Sequence, residues 1–168
     1  MDMDFLDGSR LKAATRIVPA IPNQKPALRI LIVSGAIIGQ TGFMDIKNLN
    51  EVAPFITKDG SEIRELLAHR NSAIRNQSLA EARLPVGGST QEHYHGRTEE
   101  IYYITHGAGR IRIEGEIREV RTGDAVAILP KQKHKLWNTG KEPLRLLCCC
   151  APAYEHDDTV ITEAVAGI

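Results

Sequence analysis

The sequence is poor in aromatic residues: Phe, Trp and Tyr make up 5% of its 168 residues. A core must therefore be built mainly from aliphatic side chains. An excess of either charge is also missing, because Lys+Arg 21 balances Asp+Glu 21. That excludes the strongly basic balance of the simplest nucleic-acid binders, and an acidic disordered tail. A disulfide framework is missing too. The 3 cysteines are consecutive, Cys148, Cys149 and Cys150, and neighbours on one strand point to opposite faces. They read as reduced thiols on a buried strand in a cytoplasmic protein, with a functional thiol as the alternative. No run is long enough for a membrane. The apolar stretch from Ala27 to Ile38 is broken by Arg29 and falls short of the roughly 20 residues of a spanning helix. It lies too far from the start for a signal peptide, behind acidic rather than basic residues. Sustained helical periodicity, internal repeats, low-complexity tracts and a helix-turn-helix pattern are all absent. The glycines at Gly39 and Gly42 are followed by no Lys-Ser/Thr pair, so they make no phosphate loop.

What is present suits one turn-rich domain: 42% hydrophobic residues, 14 Gly and 8 Pro. Residues 1–43 differ in character, with an acidic start and then Pro19, Pro22 and Pro26. We read them as an N-terminal extension or arm, and Met44 as a second candidate for the natural start. From Asp59 the chain either opens a short helix, capped by Asp59 and closed by Glu62, or runs into a first strand at Ile63 to Leu67. Further on, short strands alternate with turns: Leu79 to Leu84, Ile101 to Thr105, Arg110 to Ile113, Ile117 to Val120, Ala125 to Leu129 and Leu144 to Cys150. Even spacing of this kind predicts an all-β barrel or sandwich. The expected domain spans residues 44–152, followed by a C-terminal tail at 153–168.

Chemistry concentrates between Gly87 and Gly107. His93 and His95 are two apart, so on a strand both side chains share a face. Glu100 follows after a turn or bulge, and His134 arrives from a distant strand. Imidazoles and a carboxylate together suit Fe, Mn, Ni, Co or Zn. Such a set on an octahedral ion leaves positions open for water, substrate or O₂. His69, His106 and His156 sit in polar or turn contexts and read as surface residues. Lys131, Lys133 and Lys135 alternate as a solvated rim, with attraction of an anionic substrate as the lesser alternative.

The run Gly87-x5-His93-x-His95-x4-Glu100-x6-Gly107 resembles the first motif of the cupin superfamily, and Gly123, Asp124, His134 and Asn138 resemble the second. One departure is local: the family's Pro-x-Gly turn is replaced by Pro130-Lys131-Gln132-Lys133. The resemblance covers roughly Met44 to Pro152. It implies a double-stranded β-helix, a jelly-roll barrel with a divalent transition metal held inside by His93, His95, Glu100 and His134. Glu99 is the rival to Glu100, but the spacing to Gly107 and the parity of the next strand favour Glu100. By that parity Tyr102 and Ile104 face inward and Tyr103 outward. Gln91 is counted onto the face of His93. Tyr102 and Gln91 are thus candidates to hold a ligand or a substrate oxygen, or else simply line the barrel.

Fold alone does not select a reaction. The leading expectation is a metal-dependent enzyme acting on a small polar molecule, with oxygenase, isomerase or decarboxylase chemistry. The alternatives are a non-catalytic module that binds or senses a sugar or organic acid, and a structural metal barrel. Arg83 or Arg112 would bind a carboxylate if either faced inward, although Ile111 and Ile113 make the better inward pair. A lining of Ile, Val and Leu would favour an apolar or mixed substrate, or a structural role. Exposed edge strands and the apolar stretch at 27–38 lead us to expect a homodimer.

Overall fold

The computed structural model describes residues 44–163. The readings on residues 1–43 lie outside the described residues. Strands β1 (Phe55–Ile56), β2 (Glu62–Leu67), β3 (Ser78–Leu84), β4 (His93–His95), β5 (Glu99–His106) and β6 (Ala108–Ile113) come first. They are followed by β7 (Glu116–Arg121), β8 (Ala125–Ile128), β9 (His134–Asn138), β10 (Leu144–Ala151) and β11 (Thr159–Ile161). One sheet has the order β1-β2-β3-β10-β5-β8 and the other β11-β4-β9-β6-β7. All pairings are antiparallel. This is the jelly-roll double-stranded β-helix that the strand pattern and motifs imply.

The segment after Asp59 is a turn and a strand rather than a helix. Asp59 accepts the backbone N–H of Ser61 through Oδ1, and Gly60 takes φ +88°, which ends any helical start. Turn chemistry fixes register elsewhere. Glu114 and Gly115 both have positive φ in the two-residue link between β6 and β7, as a twisted hairpin requires. Gly107, the single residue between β5 and β6, takes φ +88°, and a Cβ there would meet the Pro143 carbonyl at 3.2 Å. The missing Pro-x-Gly turn is replaced in kind. In the turn Leu129-Pro130-Lys131-Gln132, Lys131 adopts φ +69°, Gln132 N–H donates back to the Leu129 carbonyl at 3.1 Å, and Gln132 Oε1 accepts from Leu129 N–H.

Register across the larger sheet sorts the barrel interior into rows. Ser78, Cys150 and Glu100 are neighbours, then Ala80, Cys148 and Tyr102, then Ala82, Leu146 and Ile104. Leu84 pairs with Leu144 beyond them. The interior therefore grades from polar to aliphatic along the barrel, and Leu84, Ile104, Leu136, Leu144 and Leu146 close the apolar end. The expected tail is not a tail throughout. Thr159–Ile161 pairs with His95–His93 and adds a strand directly beside two candidate ligands.

Candidate metal centre

The two sheets bring the candidate ligands to one point from opposite sides. His93 and His95 lie on β4, and His134 on β9 is the direct cross-strand partner of His93. Glu100 comes from β5 in the facing sheet. All four side chains are buried, and one ligand atom from each lies within 4.8 Å of the others. Glu100 Oε2 is 3.2 Å from His95 Nε2 and 3.7 Å from His134 Nε2.

The second atom of each ligand is held by the protein. Nδ1 of His93 lies 2.8 Å from the Gln91 carbonyl, and Nδ1 of His134 lies 3.0 Å from the Gln132 carbonyl. A carbonyl only accepts, so both Nδ1 atoms carry a proton, and Nε2 is the atom of each ring that has a lone pair to give when the ring is neutral. Nδ1 of His95 is 3.3 Å from Thr159 Oγ1 on β11. The Cys150 thiol donates to Glu100 Oε1 at 3.4 Å, leaving Oε2 toward the imidazoles. Outer contacts of this kind fix ring orientation in metal sites.

Burial first, and then neighbouring His93, push the His134 imidazole down from 6.5 to about 4, so it is neutral at ordinary pH. Burial pushes the Glu100 carboxyl up, but the His95 hydrogen bond and the surrounding imidazoles outweigh it and leave the group below its ordinary value. Nε2 of His134 is buried with no hydrogen-bond partner. Such an orphaned acceptor is costly unless something binds it. Imidazole nitrogens and a carboxylate are the donors a divalent transition ion takes, so the residues fit a metal.

A cavity of about 50 Å³ adjoins the cluster, room for about four waters. Tyr102 lines it from one side, its ring 5.9 Å from that of His134. Burial pushes its phenol well above the ordinary 10. Gln91 is not brought in. Its side chain is exposed because β4 begins only at His93, so strand alternation does not reach back to it. Its contribution is its backbone carbonyl. Glu99 is exposed and Glu100 buried, with Tyr102 and Ile104 inward and Tyr103 outward. Arg83 and Arg112 do not line the cavity. Arg112 pairs with Glu92 and stacks over Trp137 at 5.4 Å. Lys135 covers Trp137 at 5.3 Å, and neither it nor Lys131 or Lys133 lines the cavity. Nor is the lining mainly Ile, Val and Leu: Thr57, Asp59, Ser61, Ser78 and Tyr154 contribute polar atoms. The Tyr154 hydroxyl is buried without a partner, and its ring is 5.9 Å from that of His95. Tyr154, Asp59 and Thr159 escape a sequence reading because loops and a distant strand deliver them.

A family model for the cupin domain matches residues 80–150. Over 114 residues the chain is 49% identical to MJ1618, an uncharacterized protein of Methanocaldococcus jannaschii, covering 68% of this chain and 91% of that protein. The chain belongs to the cupin family. This cupin is also 28% identical to the tetracenomycin polyketide synthase protein TcmJ of Streptomyces glaucescens, over 62% of this chain and 69% of TcmJ. Among solved structures it is similar to a predicted oxalate decarboxylase from Thermotoga maritima. That match has a TM-score of 0.57 at 26% identity, covering 64% of this chain and 98% of the other.

Proposed function

We propose that this cupin is a metal-dependent enzyme acting on a small polar molecule, with His93, His95, Glu100 and His134 holding one divalent transition ion, Fe, Mn, Ni, Co or Zn. The observation that carries this reading is the buried, unpartnered Nε2 of His134, set within 4.8 Å of three other ligand atoms. When bound, the ion would polarise a carbonyl or hydroxyl of the substrate or activate O₂. The protein supplies the rest. The carbonyls of Gln91 and Gln132 orient two imidazoles, and Cys150 fixes the carboxylate. Tyr102, kept protonated by burial, offers a phenol O–H at the cavity wall. Oxygenase, isomerase and decarboxylase chemistry are all open to such a site. The relatives named above point to polyketide and decarboxylase settings, which differ from each other.

A second reading, a binding or sensing module without turnover, is favoured by one feature. The inward phenol is a poor proton acceptor. Metal identification on native protein, followed by oxygen-uptake and product screening, separates the two: product supports the enzyme, and a ligand retained through purification without product supports the module. His93→Ala and His134→Ala should each strip most of the metal while His69→Ala keeps it. Equal metal content in all three would refute the ligand assignment.

We further propose a cytoplasmic homodimer. The three free thiols suit a reducing compartment, and Ile101 and Tyr103 stand exposed side by side on the outer face of β5.

A further inference from the structure

The cavity beside the ligand cluster carries charge of one sign. Its carboxylic acids are Asp59, Glu65 and Glu100, and among the described residues no Lys or Arg lines it. Glu100 belongs to the ligand cluster. Glu65 is taken up by Arg70, whose guanidinium reaches both carboxylate oxygens. Asp59 is different. It is 7% exposed, and only one of its carboxylate oxygens is occupied. Oδ1 accepts from Thr57 Oγ1 at 2.6 Å, Ser61 Oγ at 2.8 Å and Ser61 N–H at 3.2 Å. Oδ2 makes no hydrogen bond within the described residues. Three donors on one oxygen fix the carboxylate and leave the other free for a ligand.

Asp59 is also tied to the ligand cluster through its backbone. Its carbonyl accepts the Gln91 N–H at 2.7 Å, and the Gln91 carbonyl holds His93 Nδ1 at 2.8 Å. The loop that carries the free carboxylate oxygen thus shares a hydrogen-bond chain with the first imidazole.

We propose that Asp59 is the ligand-recognition residue of this cavity, and that the site takes a neutral or cationic hydroxylated molecule and rejects carboxylates and phosphates, which takes decarboxylase chemistry out of the reactions left open above. The inference rests on the metal reading for the other end of the ligand. A hydroxyl or ammonium group donates to Oδ2 and satisfies it. With the ion taken up by the other end of the ligand, an anionic group there meets Asp59 at short range with no Lys or Arg in the lining to offset it. The small cavity limits the ligand to about one ring.

The test uses the full chain loaded with Zn, and three probes that share a vicinal diol head: catechol, dopamine and 3,4-dihydroxybenzoate. The common head gives all three the same pair of oxygens for the metal, and comparison with Asp59→Asn separates the charge of the tail from any metal contribution that remains. Calorimetric titration should show dopamine and catechol binding, with dihydroxybenzoate about tenfold or more weaker than catechol. In Asp59→Asn, with its metal content measured and unchanged, that gap should shrink to about threefold or less and dopamine should lose its advantage. Dihydroxybenzoate binding wild type as tightly as catechol would overturn the proposal. So would a ranking that survives in Asp59→Asn, or failure of all three probes to bind the loaded protein. The wild-type ranking needs no variant and decides the matter if Asp59→Asn does not fold. Failure to load any metal would instead count against the metal reading, and the same ranking would then be read on metal-free protein.

Discussion

His134 shows how one buried atom links stability to binding. Its side chain has no solvent exposure, its Nδ1–H is committed to the Gln132 carbonyl, and its Nε2 has no partner. Burial holds the folded imidazole near 4, against 6.5 in the unfolded chain. In metal-free protein the unfolded state therefore gains a proton below about pH 6.5 that the folded state refuses until about pH 4. Stability should be greatest above that window and fall as pH drops through it, by about 3 kcal/mol for this group. Urea denaturation between pH 7 and 4 should show the slope in wild type and a shallower one in His134→Gln. Identical slopes would mean that the imidazole is not held neutral. The candidate ligands that cluster in the fold were legible in the sequence because strand alternation is rigid: His93 with His95, and Glu100 with Tyr102, had to share faces once their strands existed. Gln91 was misread for the same reason. Alternation was extended two residues past the point where β4 begins, into a segment whose direction is set by the Asp59 carbonyl instead.

At the scale of elements, the turn between β4 and β5 has to bring His95 and Glu100 within contact distance from two different sheets. It does so on a carboxylate from far along the chain. Asp158 Oδ2 accepts the backbone N–H of Arg97 and of Thr98, each at 3.1 Å, and Oδ1 accepts Arg97 Nε at 3.1 Å. Burial raises the Asp158 carboxyl, but these bonds outweigh it and hold the group below its ordinary 3.8. The Arg97 side chain is 73% exposed, so the ion pair adds little and the two backbone bonds carry the effect. Asp158→Ala should cost about 1–3 kcal/mol and loosen metal retention without changing any proposed ligand. Because the folded value is depressed, this contribution is full above pH 3.8 and is lost as pH falls through the folded value. Chemical denaturation at pH 7 and pH 3 should show the gap between wild type and variant narrowing at the lower pH, and a constant gap would remove the carboxylate from the account. Nothing in the local sequence announced this. Residues 153–163 follow a proline, carry few apolar residues and read as a tail. Only the pairing of Thr159–Ile161 with β4 turns them into a wall of the site.

The whole molecule separates its two faces by strand parity, and the cysteine triplet displays this. Cys148 and Cys150 point into the cavity, while Cys149 lies on the outer face of the larger sheet. On that face Cys149 is the cross-strand neighbour of Ile101, and Leu147 of Tyr103. Ala127 and Ala125 flank the same two residues on β8. The result is a contiguous apolar patch centred on Ile101, 49% exposed, and Tyr103, 44% exposed. Single exposed apolar residues need no partner, but a patch spanning three adjacent strands invites one, and a second copy of the same face satisfies it by two-fold symmetry. Light scattering should therefore give about twice the chain mass, which is 18.5 kDa for the full chain, and likewise twice its own lower mass for the chain without residues 1–43. Ile101→Lys places a charge at the centre of the patch and should shift the protein toward monomer while leaving metal content unchanged, since Glu100, the candidate ligand on this sheet, faces its other side and the three histidines belong to the facing sheet. The same variant should make Cys149 react faster with a thiol reagent, with Cys148 and Cys150 staying protected inside. A monomer for the wild-type chain, or an Ile101→Lys variant that remains dimeric with Cys149 unreactive, would place any self-association elsewhere on the barrel.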